Sequence, residues 1–116
     1  MQKITENIYI GAQLTADDME RLKQLNINTI ICNRPDNEIP AEINFEKIKI
    51  AAEKENIAIY YIPISTRENI KENIETCVKI LIDSKPNIFA YCRSGTRSKL
   101  LLEAALAKMT TTQNNY

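Results

Sequence analysis

The residues best equipped for chemistry stand together at Ile88-Phe89-Ala90-Tyr91-Cys92-Arg93-Ser94-Gly95-Thr96-Arg97-Ser98. An apolar run of strand type ends in Cys92, a few small or basic residues follow, and an amphipathic stretch from Lys99 to Met109 reads as a helix. A thiol at a strand's end, below a loop whose N–H groups lead into a helix N-terminus, lies in an anion cradle. The same field favours the thiolate, which is the reactive form of cysteine. These residues predict cysteine chemistry on an anionic substrate. Gly95, one of only two glycines, suits the tight turn that lets an anion approach the amides. Arg97 can offer a forked pair of N–H donors to an oxyanion. Thr96 and Ser98 read as cap residues with hydroxyls near the loop, Ser94 as part of its backbone cradle, and Arg93 as an outward-pointing guide for substrate.

The chain has no histidine, which removes Ser-His and Cys-His pairs and every metal site that needs imidazole. The nucleophile must therefore be activated by backbone and arginine, and no cofactor or metal is expected. Fifteen acidic and fifteen basic residues cancel, which argues against broad nucleic-acid or membrane binding and makes any anion site local. No apolar run approaches membrane-spanning length. Three cysteines without paired spacing fit reduced thiols and a cytoplasmic location.

At 116 residues, 44% apolar and 26% charged, the chain fits one globular domain. The elements that must position Cys92 follow from switches in apolar period. Strands are expected at Asn7–Ile10, Thr29–Cys32, Ile57–Ile62 and the run before Cys92. Helices are expected after the Thr15 cap, over Phe45–Glu55, and over Arg67–Ser84 with Ile70, Ile74, Cys77, Val78, Leu81 and Ile82 on one side. The fold class is therefore α/β: a mostly parallel sheet of about four to five strands with helices on both faces. The domain is expected over 1–109, with a polar, aperiodic tail over 110–116.

Such sheets bind ligands at the carboxyl ends of their strands, where Cys92 and the turn Asn33-Arg34-Pro35-Asp36 both lie. Arg34 and Asp36 are candidate cleft-lining residues, although such a turn needs no function. Cys32 closes a buried strand and reads first as packing, with a relay role beside Cys92 as the alternative. Cys77 reads as core, and Glu38, Glu42 and Glu46 as a solvated face.

The loop Cys92-Arg93-Ser94-Gly95-Thr96-Arg97 resembles the six-residue active-site loop of rhodanese sulfurtransferases. The order Asn7-Ile8-Tyr9-Ile10-Gly11, Ile30-Ile31-Cys32-Asn33-Arg34-Pro35-Asp36 and Tyr61-Ile62-Pro63-Ile64 resembles the beta-lactamase-hydrolase-like, phosphatase-like domain family. That family shares the fold of cysteine-dependent dual-specificity phosphatases, and its members are often described as sulfur transferases. Those phosphatases carry His-Cys-x5-Arg, whereas here Tyr91 precedes the cysteine and only four residues separate Cys92 from Arg97. They also place an aspartate after the strand that ends near Ile64, where this chain has Ser65-Thr66-Arg67-Glu68. The resemblance implies a sulfurtransferase with Cys92 and Arg97 as catalytic residues, taking sulfur from a small-molecule donor to a thiol or cyanide acceptor. The alternatives are a phosphatase using Asp36 or Glu68 as substitute acid, or a non-catalytic anion- or sulfur-binding module. Related domains are joined to metallo-hydrolases, which implies a separate metallo-hydrolase partner here.

Overall fold

Side-chain alternation along the two central strands decides the architecture. In β5 (Ile88–Tyr91), Ile88 and Ala90 enter one apolar cluster and Phe89 and Tyr91 the other, all four buried. In β3 (Thr29–Cys32), Ile31 joins the first cluster, and Ile30 and Cys32 join the second. Strands buried on both faces need helices on both faces.

The computed structural model describes residues 1–114. The remaining elements are β1 (Gln2–Thr5), β2 (Ile8–Gly11), α1 (Met19–Gln24), α2 (Phe45–Lys54), β4 (Ala58–Tyr61), α3 (Arg67–Asp83) and α4 (Thr96–Asn114). The sheet order is β1-β2-β5-β3-β4, with β1 antiparallel to β2 and the other neighbours parallel. Cys77 and Ile80 of α3 pack with Leu101, Leu102 and Ala105 of α4 on one face. Met19 and Leu22 of α1 pack with Ile48 and Ala52 of α2 on the other. The expected α/β class, with helices on both faces of a mostly parallel sheet, is the observed one.

Asparagine does here what glycine does in most chains. Asn26 (φ 63°) and Asn56 (φ 58°) take left-handed backbone just past α1 and α2. The following N–H turns back onto the helix, from Ile27 to the Leu22 carbonyl at 3.0 Å and from Ile57 to the Ala52 carbonyl at 2.9 Å. This closure satisfies end carbonyls and drops each chain directly into the next strand.

Some boundaries depart from expectation. β1 was not foreseen; its side chains are mostly exposed and carry no alternating signal. Ile82 points outward at 65% exposure, while Ile80 takes its place in the core. α4 opens at Thr96 instead of Lys99, with the Lys99 N–H donating to the Gly95 carbonyl at 2.9 Å as its first bond. It also continues through Asn114, so residues 110–114 extend the helix beyond the domain limit expected at Met109; the rest of the expected tail, 115–116, lies outside the described residues. Thr110 and Thr111 hydroxyls donate to the Leu106 and Ala107 carbonyls, which suits them to this turn. No helix among the described residues is long and apolar enough to cross a membrane.

Candidate active site

The early start of α4 shapes the site. Cys92 leaves β5, the chain turns through Arg93, Ser94 and Gly95, and helical N–H groups begin at once. Gly95 has φ +102°, a conformation that L side chains rarely adopt, and this turn aims its N–H at Cys92 Sγ, 3.1 Å away. A Cβ there would rest in contact with Gly11, whose carbonyl lies 3.4 Å from its position and accepts from the Cys92 N–H. Gly11 is itself confined, because a Cβ on it would come within 2.7 Å of the Phe89 ring. The two glycines thus form one close backbone crossing that holds the cysteine under the loop.

Cys92 is 1% exposed, so its sulfur lies on the floor of the cradle. Burial works to raise its pKa, but the N–H groups of Ser98 and Gly95, the Ser98 hydroxyl and the Ser94 N–H outweigh it, and the thiol falls below its ordinary value. The hydroxyl has a single proton, however, and at 2.8 Å it donates to Asn33 Oδ1. Backbone amides are therefore the principal support of the thiolate. The contrast with the other thiols is large: burial pushes Cys32 up to about 11 and Cys77 up to about 12.

Asn33 is the residue that sequence reasoning passed over. Wholly buried, it follows β3 and donates from Nδ2 to the Ile62 carbonyl at 2.9 Å, which fixes Oδ1 as the acceptor of the Ser98 hydroxyl. Its N–H donates to the Tyr91 carbonyl at 2.8 Å, and its carbonyl accepts from the Ile64 N–H at 2.9 Å. One side chain ties the ends of β3 and β5, the segment after β4 and the first turn of α4. Thr96 and Ser98 lie inside that turn and are not caps; the Thr96 hydroxyl meets Ser94 at 3.2 Å.

Arg97 reaches back over the sheet edge. Nη1 donates to the Ile64 carbonyl at 2.7 Å and to Glu38 Oε2 at 2.7 Å, while Nη2 donates to Glu38 Oε1 at 2.9 Å. Glu38 is exposed, as expected of a solvated face, but it also forms a bidentate ion pair at the loop. Hydrogen bonding from Arg97 holds its carboxyl below the usual carboxylate range against the opposing effect of burial, with the charges of Arg97, Arg34 and Arg93 adding to the lowering. Arg34 does line this corner, donating to the Glu38 carbonyl oxygen at 3.1 Å and to Gln13 Oε1 at 3.3 Å. Arg93 and Ser94 are exposed at the loop's outer side.

The remaining candidates lie elsewhere. Asp36 Oδ1 accepts from the Phe45 N–H at 2.8 Å, and the Asp36 N–H donates to the Tyr61 hydroxyl at 2.9 Å, so this residue clasps the start of α2. Cys32 pairs in register with Tyr91 and packs with it in the second cluster, close enough to Cys92 for that thiolate's charge to help raise the Cys32 thiol. Cys77 is buried in α3, as its position on the apolar stripe implied.

Comparison with known proteins places this geometry in context. Residues 1–109 match the family described as beta-lactamase hydrolase-like protein, phosphatase-like domain. A candidate phosphatase from Neisseria meningitidis of known crystal structure is 38% identical, with a TM-score of 0.78 over 87% of this chain and 72% of that one. A second candidate phosphatase, from Shewanella putrefaciens, has a TM-score of 0.74 over 96% of this chain and 69% of that one, and at 12% identity it speaks for the fold alone. The beta-lactamase hydrolase-like protein of Xylella fastidiosa is 24% identical over 98 residues, which are 84% of this chain and 23% of that protein's length. The chain therefore spans about a quarter of the length of the curated relatives it matches.

Proposed function

The chain belongs to the family of beta-lactamase hydrolase-like, phosphatase-like domains, and from that premise we propose that it is a sulfurtransferase working through a Cys92 persulfide. The observation that carries the reading is the contracted loop, in which the amide N–H of Gly95 donates to the Cys92 sulfur. Glu38, the carboxylate seated on Arg97, is held ionised and has no proton to give.

The Cys92 thiolate attacks the outer sulfur of thiosulfate or a small persulfide. An S–S bond forms to Cys92 as the donor's own S–S bond breaks, and sulfite or a thiolate departs with the electron pair. An incoming thiolate or cyanide ion then takes the outer sulfur and restores the Cys92 thiolate. Every leaving group is already a stable anion, so neither step needs an acid. The loop amides steady the persulfide anion as they steady the thiolate. Arg97 fixes the loop and receives the oxyanion end of a donor, and Arg93 steers the donor inward. The sulfur source or acceptor is a small molecule or a separate metallo-hydrolase partner, in keeping with the greater length of the curated relatives.

The relatives described as candidate phosphatases favour a second reading, attack of Cys92 on a phosphate ester. Intact mass separates the two. After exposure to thiosulfate or glutathione persulfide the protein should gain about 32 Da, reversibly with cyanide, and Cys92→Ser should not. No gain from either donor, together with Cys92-dependent turnover of an aryl phosphate, would move the assignment to the phosphatase reading.

A further inference from the structure

We infer that the hollow bordering the Cys92 loop is the seat of the sulfur acceptor, and that it takes a thiol with a carboxylate arm held by Lys99. This rests on the sulfur-transfer reading and names the kind of acceptor that reading leaves open. A cavity of about 540 Å³ lies against the loop, lined among others by Ile10, Gly11, Ser94, Gly95, Thr96 and Lys99. Its size falls within the ~300–1,000 Å³ of small-molecule sites. Two of these residues hydrogen-bond to Cys92 itself. The Gly95 N–H donates to Sγ at 3.1 Å, and the Gly11 carbonyl accepts from the Cys92 N–H at 3.4 Å. Cavity and nucleophile thus share a wall.

Charge selects the ligand. None of the lining residues is acidic, and Lys99 brings a half-buried ammonium. The ion pairs among the described residues join Lys3 to Glu6, Arg34 and Arg97 to Glu38, and Lys108 to Glu75, so Lys99 is left unpaired. Two other hollows mix the signs: Asp17, Glu20 and Glu55 with Lys47 and Lys54 in one, Asp83 with Lys23 and Lys85 in the other. The Ser94 and Thr96 hydroxyls, 3.2 Å apart, share one hydrogen bond between them, which leaves one proton to donate to a ligand. Spacing sets the reach. The Lys99 N–H bonds to the Gly95 carbonyl at 2.9 Å, so Lys99 stands one helical turn, about 5 Å, beyond the residue that touches the sulfur. Its side chain leans back toward the helix N-terminus and the loop. A thiol whose carboxylate lies several bonds from its sulfur spans that interval; cyanide does not. The acceptor thiolate attacks the outer persulfide sulfur, a new S–S bond forms to the acceptor, and the old one breaks with its electron pair left on Cys92 Sγ.

Calorimetry on the full chain with S-methylglutathione, a dicarboxylate that cannot accept sulfur, tests the seat without any turnover. Lys99→Met suits a helix as well as lysine does and should weaken binding about fivefold, the scale of one partly exposed ion pair. Lys99→Arg keeps the charge and should bind as the parent does. In transfer from thiosulfate, Lys99→Met should raise the KM for glutathione by the same factor with kcat held. The KM for 2-mercaptoethanol, which has no carboxylate, should stay within about twofold. Equal binding by the parent and Lys99→Met overturns the inference, and so does an absence of binding to the parent. A KM that rises alike for both thiols also overturns it, because Lys99 would then only shape the loop. The gain of about 32 Da on exposure to thiosulfate reports on sulfur transfer separately. If the parent forms the persulfide while the Lys99 results fail, only this seat is lost. If S-methylglutathione binds through Lys99 while no persulfide forms, the seat stands and the sulfur-transfer reading is the one to abandon.

Discussion

Replacing Asn33 with alanine puts the most strain on this account of the site. The side chain is wholly buried and makes two hydrogen bonds, to the Ile62 carbonyl at 2.9 Å and from the Ser98 hydroxyl at 2.8 Å. Alanine keeps both backbone bonds but strands a buried carbonyl and a buried hydroxyl. Each orphan costs about 1–3 kcal/mol, with the hydroxyl at the low end because it can rotate toward Cys92 Sγ. The expected loss is about 2–4 kcal/mol, a large part of the ~5–15 kcal/mol that holds a domain together. Urea unfolding should show a lower midpoint at unchanged slope. Asn33→Asp adds a pH signature. Facing the Ile62 carbonyl in a buried site, the new carboxyl should be pushed up, so its stabilising contribution is present below the unfolded value of about 3.9 and lost as pH rises through the folded one. That variant should therefore be weaker at pH 7 than at pH 5. A loss below about 0.5 kcal/mol for alanine, within the range of ordinary surface changes, would refute the claim that Asn33 ties the site together.

Other outcomes follow from the same contacts. Iodoacetamide should modify Cys92 before Cys32 and Cys77, with a half-maximal rate below the ordinary thiol value of 9.0, and peptide mapping across pH reads both; modification of Cys32 first would contradict the assigned nucleophile. Since the lowered pKa belongs to an acid, the thiolate's contribution to stability is present above 9.0 and lost as pH falls through the folded value, so the midpoint gap between the parent and Cys92→Ser should widen as pH rises toward 9.0. Gly95→Ala should cost about 1–3 kcal/mol for a strained backbone and abolish persulfidation by turning its N–H from the sulfur, checked by thermal melting and intact mass. Tyr91→Phe should change stability by about 1 kcal/mol or less, because the buried Tyr91 hydroxyl makes no well-formed hydrogen bond and only neighbours Cys32 and Gln13; a larger fall in melting temperature would show that the hydroxyl is firmly bonded.

The sequence carried the nucleophile and its cradle because their chemistry is contiguous: Cys92, Gly95 and Arg97 sit within one strand–turn–helix junction. Strands with two buried faces were legible for a similar reason, since an apolar run such as Thr29–Cys32 has no other easy home. What stayed hidden were partners brought together by the sheet. Glu38 meets Arg97 across 59 residues, and Asn33 meets Ser98 across 65. A glutamate after a proline turn and an asparagine at a strand's end look like loop residues until the register of β3 against β5 is known. That register also places Cys32: directly opposite Tyr91, it shares that residue's face and its apolar cluster. The start of α4 was placed late because Thr96, Arg97 and Ser98 carry no apolar signal, yet as first-turn residues they supply the free N–H groups that the site uses.

This division of labour bears on which chemistry the site favours. A thiolate supported mainly by amides keeps most of its stabilisation when Arg97 is held elsewhere, although the guanidinium also bonds to the Cys92 sulfur. Arg97 can then be held by Glu38 without disarming Cys92. A phosphate ester needs more from the same residues, because its reaction develops charge on three oxygens and expels an alkoxide or phenoxide. It would call on Arg97 for those oxygens and on an acid that must still hold its proton, and general acid assistance is commonly worth about 10²–10⁴-fold. Glu38, held ionised by Arg97, cannot meet the second demand. Sulfur transfer makes neither demand at the reacting atom. Glu38 is therefore the residue on which the two readings diverge: its neutral variant should improve phosphate-ester turnover on the phosphatase reading, and leave the Cys92 requirement for a persulfide intact on the reading proposed here.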